Sequence, residues 1–143
     1  MYRNILLPID LPHKESQTKA VAVACELAAT FGAKLNAMTV VPDFGMTIVG
    51  GYFPKGYEEK AAKEASAILH DYIRAHVPAG LEVRHIVANG TIYSEILRIA
   101  TEIEADLIIM FSHRPELRDY LLGPNAARVV RHADCSVLVV RGD

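Results

Sequence analysis

Five apolar runs, at residues 5–9, 35–41, 83–88, 107–111 and 137–140, are each bounded by turn-forming or charged residues and have the length of buried strands. Four segments of helical period lie between them. Ala20, Val23, Leu27 and Phe31 share one face of a first helix that stops at Gly32, and Ala61, Ala65, Ile68 and Tyr72 mark a second that ends before Pro78. Ile92, Ile96, Ile99 and Ile103, spaced 4, 3 and 4 apart, give a third. The fourth is short, from about Pro124 to His132, with proline at the first position, where a missing N–H removes no intrahelical bond. Strands that alternate with helices form βαβ units, whose right-handed crossovers put helices on both faces of a parallel sheet. The expected class is α/β, a doubly wound parallel sheet of five strands with four helices, in one domain spanning residues 1–143.

In such a sheet a ligand crevice lies beyond the carboxyl ends of the strands, where strand order reverses. The tips that matter are therefore Pro8-Ile9-Asp10, Thr39-Val40-Val41 and Met110-Phe111-Ser112. Residues 108–141 read strand, loop, glycine turn, helix and strand without a break. The turn at Gly123 precedes the fourth helix, and the unpaired N–H groups of a helix start favour an anion such as phosphate.

Composition narrows the functions open to this fold. The 143 residues are 51% hydrophobic and 22% charged, with a formal net charge of −2, so the basic excess expected of a nucleic-acid or anionic-membrane binder is missing. No apolar stretch has the length of a signal peptide core or a membrane span, and the expected location is the cytoplasm. Two cysteines, Cys25 and Cys135, are too few for a disulfide framework and are expected as buried free thiols. Residues 42–56 fit no regular element. With four glycines, two prolines and six large apolar side chains, that segment suits a lid over a ligand or a surface for a protein partner, and the sequence leaves both open.

Strong motifs for specific chemistry are absent. Nothing matches G-x-x-x-x-G-K-[ST], and Leu11-Pro12 follows Asp10 where a dinucleotide fold would place its glycines, which excludes an ordinary P-loop hydrolase or NAD dehydrogenase. Asp10 either offers its carboxylate to a sugar hydroxyl, a heterocycle edge or a cation, or only caps the turn that follows. Ser112 and His113 are neighbours that point apart and lack the G-x-S-x-G elbow, so they are not a catalytic pair. The six histidines show no H-E-x-x-H spacing, and no metal site is expected. Arg114 and Arg118 either pair with phosphate oxygens or remain solvated loop charges.

Taken together, Pro8-Ile9-Asp10, Thr39-Val40-Val41, Ser112-His113, Gly123 and residues 132–141 (HADCSVLVVR) resemble the universal stress protein family over the whole chain. The loop sequence Ser112-His113-Arg114-Pro115 resembles a small single-domain bacterial subgroup. The resemblance implies strand order 3-2-1-4-5, a homodimer formed through the last strand, and an adenine-nucleotide site, with ATP the ligand in many members, alone or with Mg. It implies adenine at Ile9, Asp10 and the Val40 backbone, with Pro8 and Met110 beside them. Ribose and phosphates fall to a Gly-x2-Gly-x9-Gly-Ser/Thr pattern. Here Phe111 and Arg114 replace the first two glycines, eight residues separate Arg114 from Gly123, and Pro124 replaces the Ser/Thr. The phosphate contacts then rest on Ser112, His113, Arg114, Gly123, Asn125 and Ala126. Pro124 removes a hydroxyl and an N–H, each worth on the order of 1 to 3 kcal/mol against a charged group.

The reading this supports best is a cytoplasmic homodimer that binds ATP or another adenine nucleotide as a regulatory ligand in stress adaptation. One alternative is a nucleotide-independent scaffold dimer with a degenerate phosphate site and a protein partner at residues 42–56. A slow ATPase or phosphotransferase, with Asp10 on a cation and His113 near the phosphates, ranks last because no general base is placed.

Overall fold

The structure, a computed structural model, describes residues 1–42, 57–112 and 124–142. Five parallel strands, β1 (Asn4–Pro8), β2 (Lys34–Pro42), β3 (Val83–Gly90), β4 (Leu107–Ser112) and β5 (Ser136–Arg141), lie in the order β3-β2-β1-β4-β5. The helices are α1 (Thr18–Phe31), α2 (Tyr57–His76), α3 (Ile92–Glu102) and α4 (Pro124–His132), and a 3-10 helix, Leu11–Gln17, precedes α1. The expected class, strand order and helix number are all found.

Alternation along the strands builds the two faces. Ile5, Leu7 and Ile9 join Leu35, Ala37, Leu107 and Ile109 in a core closed by α1 and α2, while Leu6, Met38, Ile108 and Met110 meet α3 and α4 through Ile96, Ile99, Ala126 and Val129. Strand order reverses beside β1, which pairs with β2 on one side and β4 on the other, so the crevice predicted by topology opens beyond these three tips.

Two helix faces differ from the expected ones. In α1 the fully buried residues are Ala20, Val21, Ala24, Cys25 and Ala28, with Val23, Leu27 and Phe31 packed only at the flank. Small side chains let α1 lie close to the sheet, so the larger residues that carry the sequence period are displaced to its edge. In α2 the core contacts come from Ala65, Leu69, Tyr72 and Ile73, and Ile68 is 43% exposed. The third helix keeps its expected face, the fourth has its expected extent, and α1 ends at Gly32, whose φ of +63° is the left-handed turn that glycine accepts without a Cβ penalty. Both thiols are free. Cys25 is buried as expected but Cys135 is only half-buried, and burial raises the pKa of each, which favours the protonated thiol. Among the described residues no helix is long and apolar enough to cross a membrane.

Candidate functional site

The chain leaving β1 is pinned by side chains on both sides. The Ile9 N–H donates to the Met38 carbonyl at 2.7 Å, and the Thr39 hydroxyl donates to the Ile9 carbonyl at 2.8 Å, tying the β1 tip to β2. One turn on, the buried Gln17 side chain takes both backbone groups of Asp10. Its Oε1 accepts from the Asp10 N–H at 3.0 Å, while its Nε2 donates to the Asp10 carbonyl at 2.8 Å and to the His13 carbonyl at 3.1 Å. A second tie comes from α2, where the Tyr72 hydroxyl donates to the Lys14 carbonyl at 2.8 Å. Burial and the charge of Glu15 push this phenol up to about 12, so it remains a donor.

With its backbone held, Asp10 projects its carboxylate outward. The side chain makes no capping bond to the 3-10 helix. Its Oδ2 lies 3.0 Å from His13 Nδ1, with more than half of each side chain exposed. An exposed pair of this kind contributes under about 1 kcal/mol, so a ligand can displace it at little cost. Of the two readings of Asp10, the turn cap is thus not realised through its side chain.

Asp10 stands at the mouth of a cleft of about 160 Å³. Ile9, Met38, Val40, Met110, Ile92 and Ile96 form its apolar surface, Thr39, Gln17, Ser16 and His13 add polar groups from the β1 side, and Pro124, Asn125 and Ala126 bring in the start of α4. The first-turn N–H groups of Asn125 and Ala126 have no partner four residues back within the helix, which leaves donors for an anion there, whereas Pro124 has none to give. Phe111 stands on the wall as well. The Gly142 backbone comes close to its ring, since a Cβ on Gly142 would stand 2.9 Å from Phe111 Cζ.

Of the residues singled out in the sequence, Pro8, Ile9, Asp10, Val40, Met110, Asn125 and Ala126 line this cleft. Ser112 is buried at the end of β4 and is not among the described residues that line it. His113, Arg114, Arg118 and Gly123 lie outside the described residues, as does nearly all of segment 42–56. His13, Ser16 and Gln17 were not singled out. The sequence offers only the i, i+3, i+7 spacing of positions 10, 13 and 17, which does not by itself tell such a cluster from a solvated helix face.

A sequence profile of the universal stress protein family matches residues 1–141. The chain belongs to this family. Universal stress protein G of Escherichia coli O157:H7 is 30% identical over 143 residues, covering 99% of this chain and 100% of that protein. The solved structure of the hypothetical protein MJ0577 superposes with a TM-score of 0.81 at 26% identity, covering 100% of this chain and 98% of the other. Two more distant universal stress proteins share the fold and were solved with adenine nucleotides. One is in complex with cAMP (TM-score 0.63, 22% identity, 99% and 98% covered). The other, from Archaeoglobus fulgidus, is in complex with dAMP (TM-score 0.59, 18% identity, 96% and 97% covered). Two departures from the family's glycine pattern, Phe111 and Pro124, both sit on the cleft wall of this universal stress protein.

Proposed function

We propose that this universal stress protein is a cytoplasmic homodimer, a single domain over residues 1–143, that binds ATP or another adenine nucleotide as a regulatory ligand in stress adaptation. The observation that carries the reading is the outward Asp10 carboxylate beside an apolar slot, with the start of α4 opposite. Ile9 and Val40 suit the faces of an adenine, Asp10 a ribose hydroxyl, and Asn125 and Ala126 a phosphate; Pro8, Met110, Ser112, His113, Arg114 and Gly123 complete the proposed site. At about 160 Å³ the cleft is below the roughly 300 Å³ at which pockets for whole drug-sized ligands begin. It therefore takes the heterocycle and leaves sugar and phosphates on the open side. No group of three metal ligands exists among the described residues, so any Mg arrives on the phosphates. Isothermal titration with ATP tests the reading, together with a search for an adenine compound released on denaturation. The absence of heat at millimolar ATP and of any released adenylate overturns it.

Dimerisation is proposed through β5, an edge strand that pairs with β4 alone among the described strands and carries an exposed Leu138 between half-buried Val137 and Val139. Val139→Glu is expected to give monomers or aggregates on light scattering, and an unchanged dimer rejects this interface.

A second reading, a scaffold dimer whose nucleotide site has lapsed and whose residues 42–56 meet a protein partner, is favoured by Phe111 and Pro124 on the wall. Pro124→Ser separates the two. On the first reading the natural protein binds and the variant tightens binding by roughly tenfold, the worth of about 1.4 kcal/mol; on the second only the variant binds.

A further inference from the structure

At the opposite side of β2 from the cleft, α2 lies over the edge strand β3 and a groove of about 430 Å³ runs between them. His70 of α2 and His85 of β3 face each other across it, with ring centroids 5.3 Å apart and ring planes at 62°. Neither imidazole forms a hydrogen bond with another described residue, and no buried side-chain nitrogen lacks a partner, so the ring nitrogens of the half-buried His85 open to solvent. The residues that line the groove are distinct from those that line the cleft.

We propose that His70 and His85 form a two-histidine site for a divalent transition-metal ion that clamps α2 onto β3. A metal bond of about 2.0 to 2.1 Å to each imidazole nitrogen puts each ring centroid about 3.2 Å from the ion, and two such ligands at a tetrahedral angle stand about 5.2 Å apart. The spacing found, 5.3 Å, matches that separation, and from the present edge-to-face packing a turn of one ring is needed to bring both nitrogens onto the ion. His70 is exposed and turns its ring about the Cβ–Cγ bond without disturbing the core. No third His, Cys, Asp or Glu joins the pair among the described residues, so water completes the coordination. That donor set, imidazole and water, suits zinc, nickel and copper rather than magnesium or calcium. Arg74, one helical turn beyond His70, lies in the same groove and opposes the ion by charge. Its presence holds affinity down and gives the site a distinctive signature.

The test uses the full chain stripped with a chelator, titrated with Zn2+ and Ni2+ against a competing dye and followed by thermal unfolding. One ion per chain is expected, with a rise in the midpoint temperature. His70→Ala and His85→Gln each weaken it by about tenfold or more, while His70→Cys keeps zinc because a thiolate is itself a zinc ligand. Arg74→Gln tightens binding severalfold. Absence of binding at millimolar zinc and nickel overturns the proposal, and so does binding that His70→Ala leaves unchanged or that His70→Cys fails to retain. None of these readouts depends on the nucleotide.

Discussion

The two ends of the sheet use polar residues in opposite ways. At the amino ends of β1, β2 and β4 several such groups are consumed in structural hydrogen bonds. The buried Asn36 amide donates to Asn4 Oδ1 at 2.7 Å and to the Ile5 carbonyl at 2.9 Å, Asn4 Nδ2 donates to the Ile103 carbonyl, and the two Asp106 oxygens accept the N–H groups of Arg3 and Asn4. At the carboxyl ends, Gln17 and Thr39 are consumed in the same manner, but what they hold in place is the backbone under a carboxylate left at the surface. At the amino end the network joins β1, β2 and the turn after α3. The carboxyl end is a mount, rigid beneath and open above, as a preorganised binding site must be.

Substitutions that break this contrast separate stability from binding. The largest effect is expected for Asn36→Ala, which strands the Asn4 Oδ1 and the Ile5 carbonyl in a buried setting and costs roughly 2 to 4 kcal/mol in denaturant melts while nucleotide affinity holds. Gln17→Ala is intermediate. It removes three hydrogen bonds near the surface and leaves the Asp10 N–H without one, while the Asp10 and His13 carbonyls still accept from the His13 N–H and the Ser16 hydroxyl; it costs about 1 to 3 kcal/mol and is expected to weaken ATP binding, because Asp10 loses its fixed position. The smallest change in stability belongs to Asp10→Ala, within about 0.5 kcal/mol, as for other exposed pairs, yet calorimetry is expected to show ATP affinity reduced about tenfold or more. Should Asp10→Ala instead destabilise like Asn36→Ala, the two ends are alike and the carboxylate is structural.

The same contrast explains what the sequence revealed. The parallel, doubly wound class and the side of the sheet that holds the cleft followed from apolar runs and βαβ alternation, the strand order came only with the family resemblance, and the 4, 3, 4 spacing of isoleucines gave the buried face of α3 directly. The α1 face did not follow. Alanines at 20, 24 and 28 carry little weight in a hydrophobic pattern, yet they decide how near the helix approaches the sheet. Asp10 was legible as a candidate from its place at a strand tip, but the sequence could not separate a ligand-facing carboxylate from a turn cap, and only the missing side-chain capping bond does so. Gln17 was not, since an amide between lysines, glutamate and serine looks like solvated helix until the backbone it grips is known. His13 is likewise visible only through the turn that Pro12 begins.

The close approach of Gly142 to the Phe111 ring has a consequence for the shape of this crevice. Any side chain at position 142 meets the ring, and the ring is one wall of the crevice, so the bore depends on a position that does not itself line it. A substitution at position 142 thus reshapes the crevice while every residue that lines it keeps its identity.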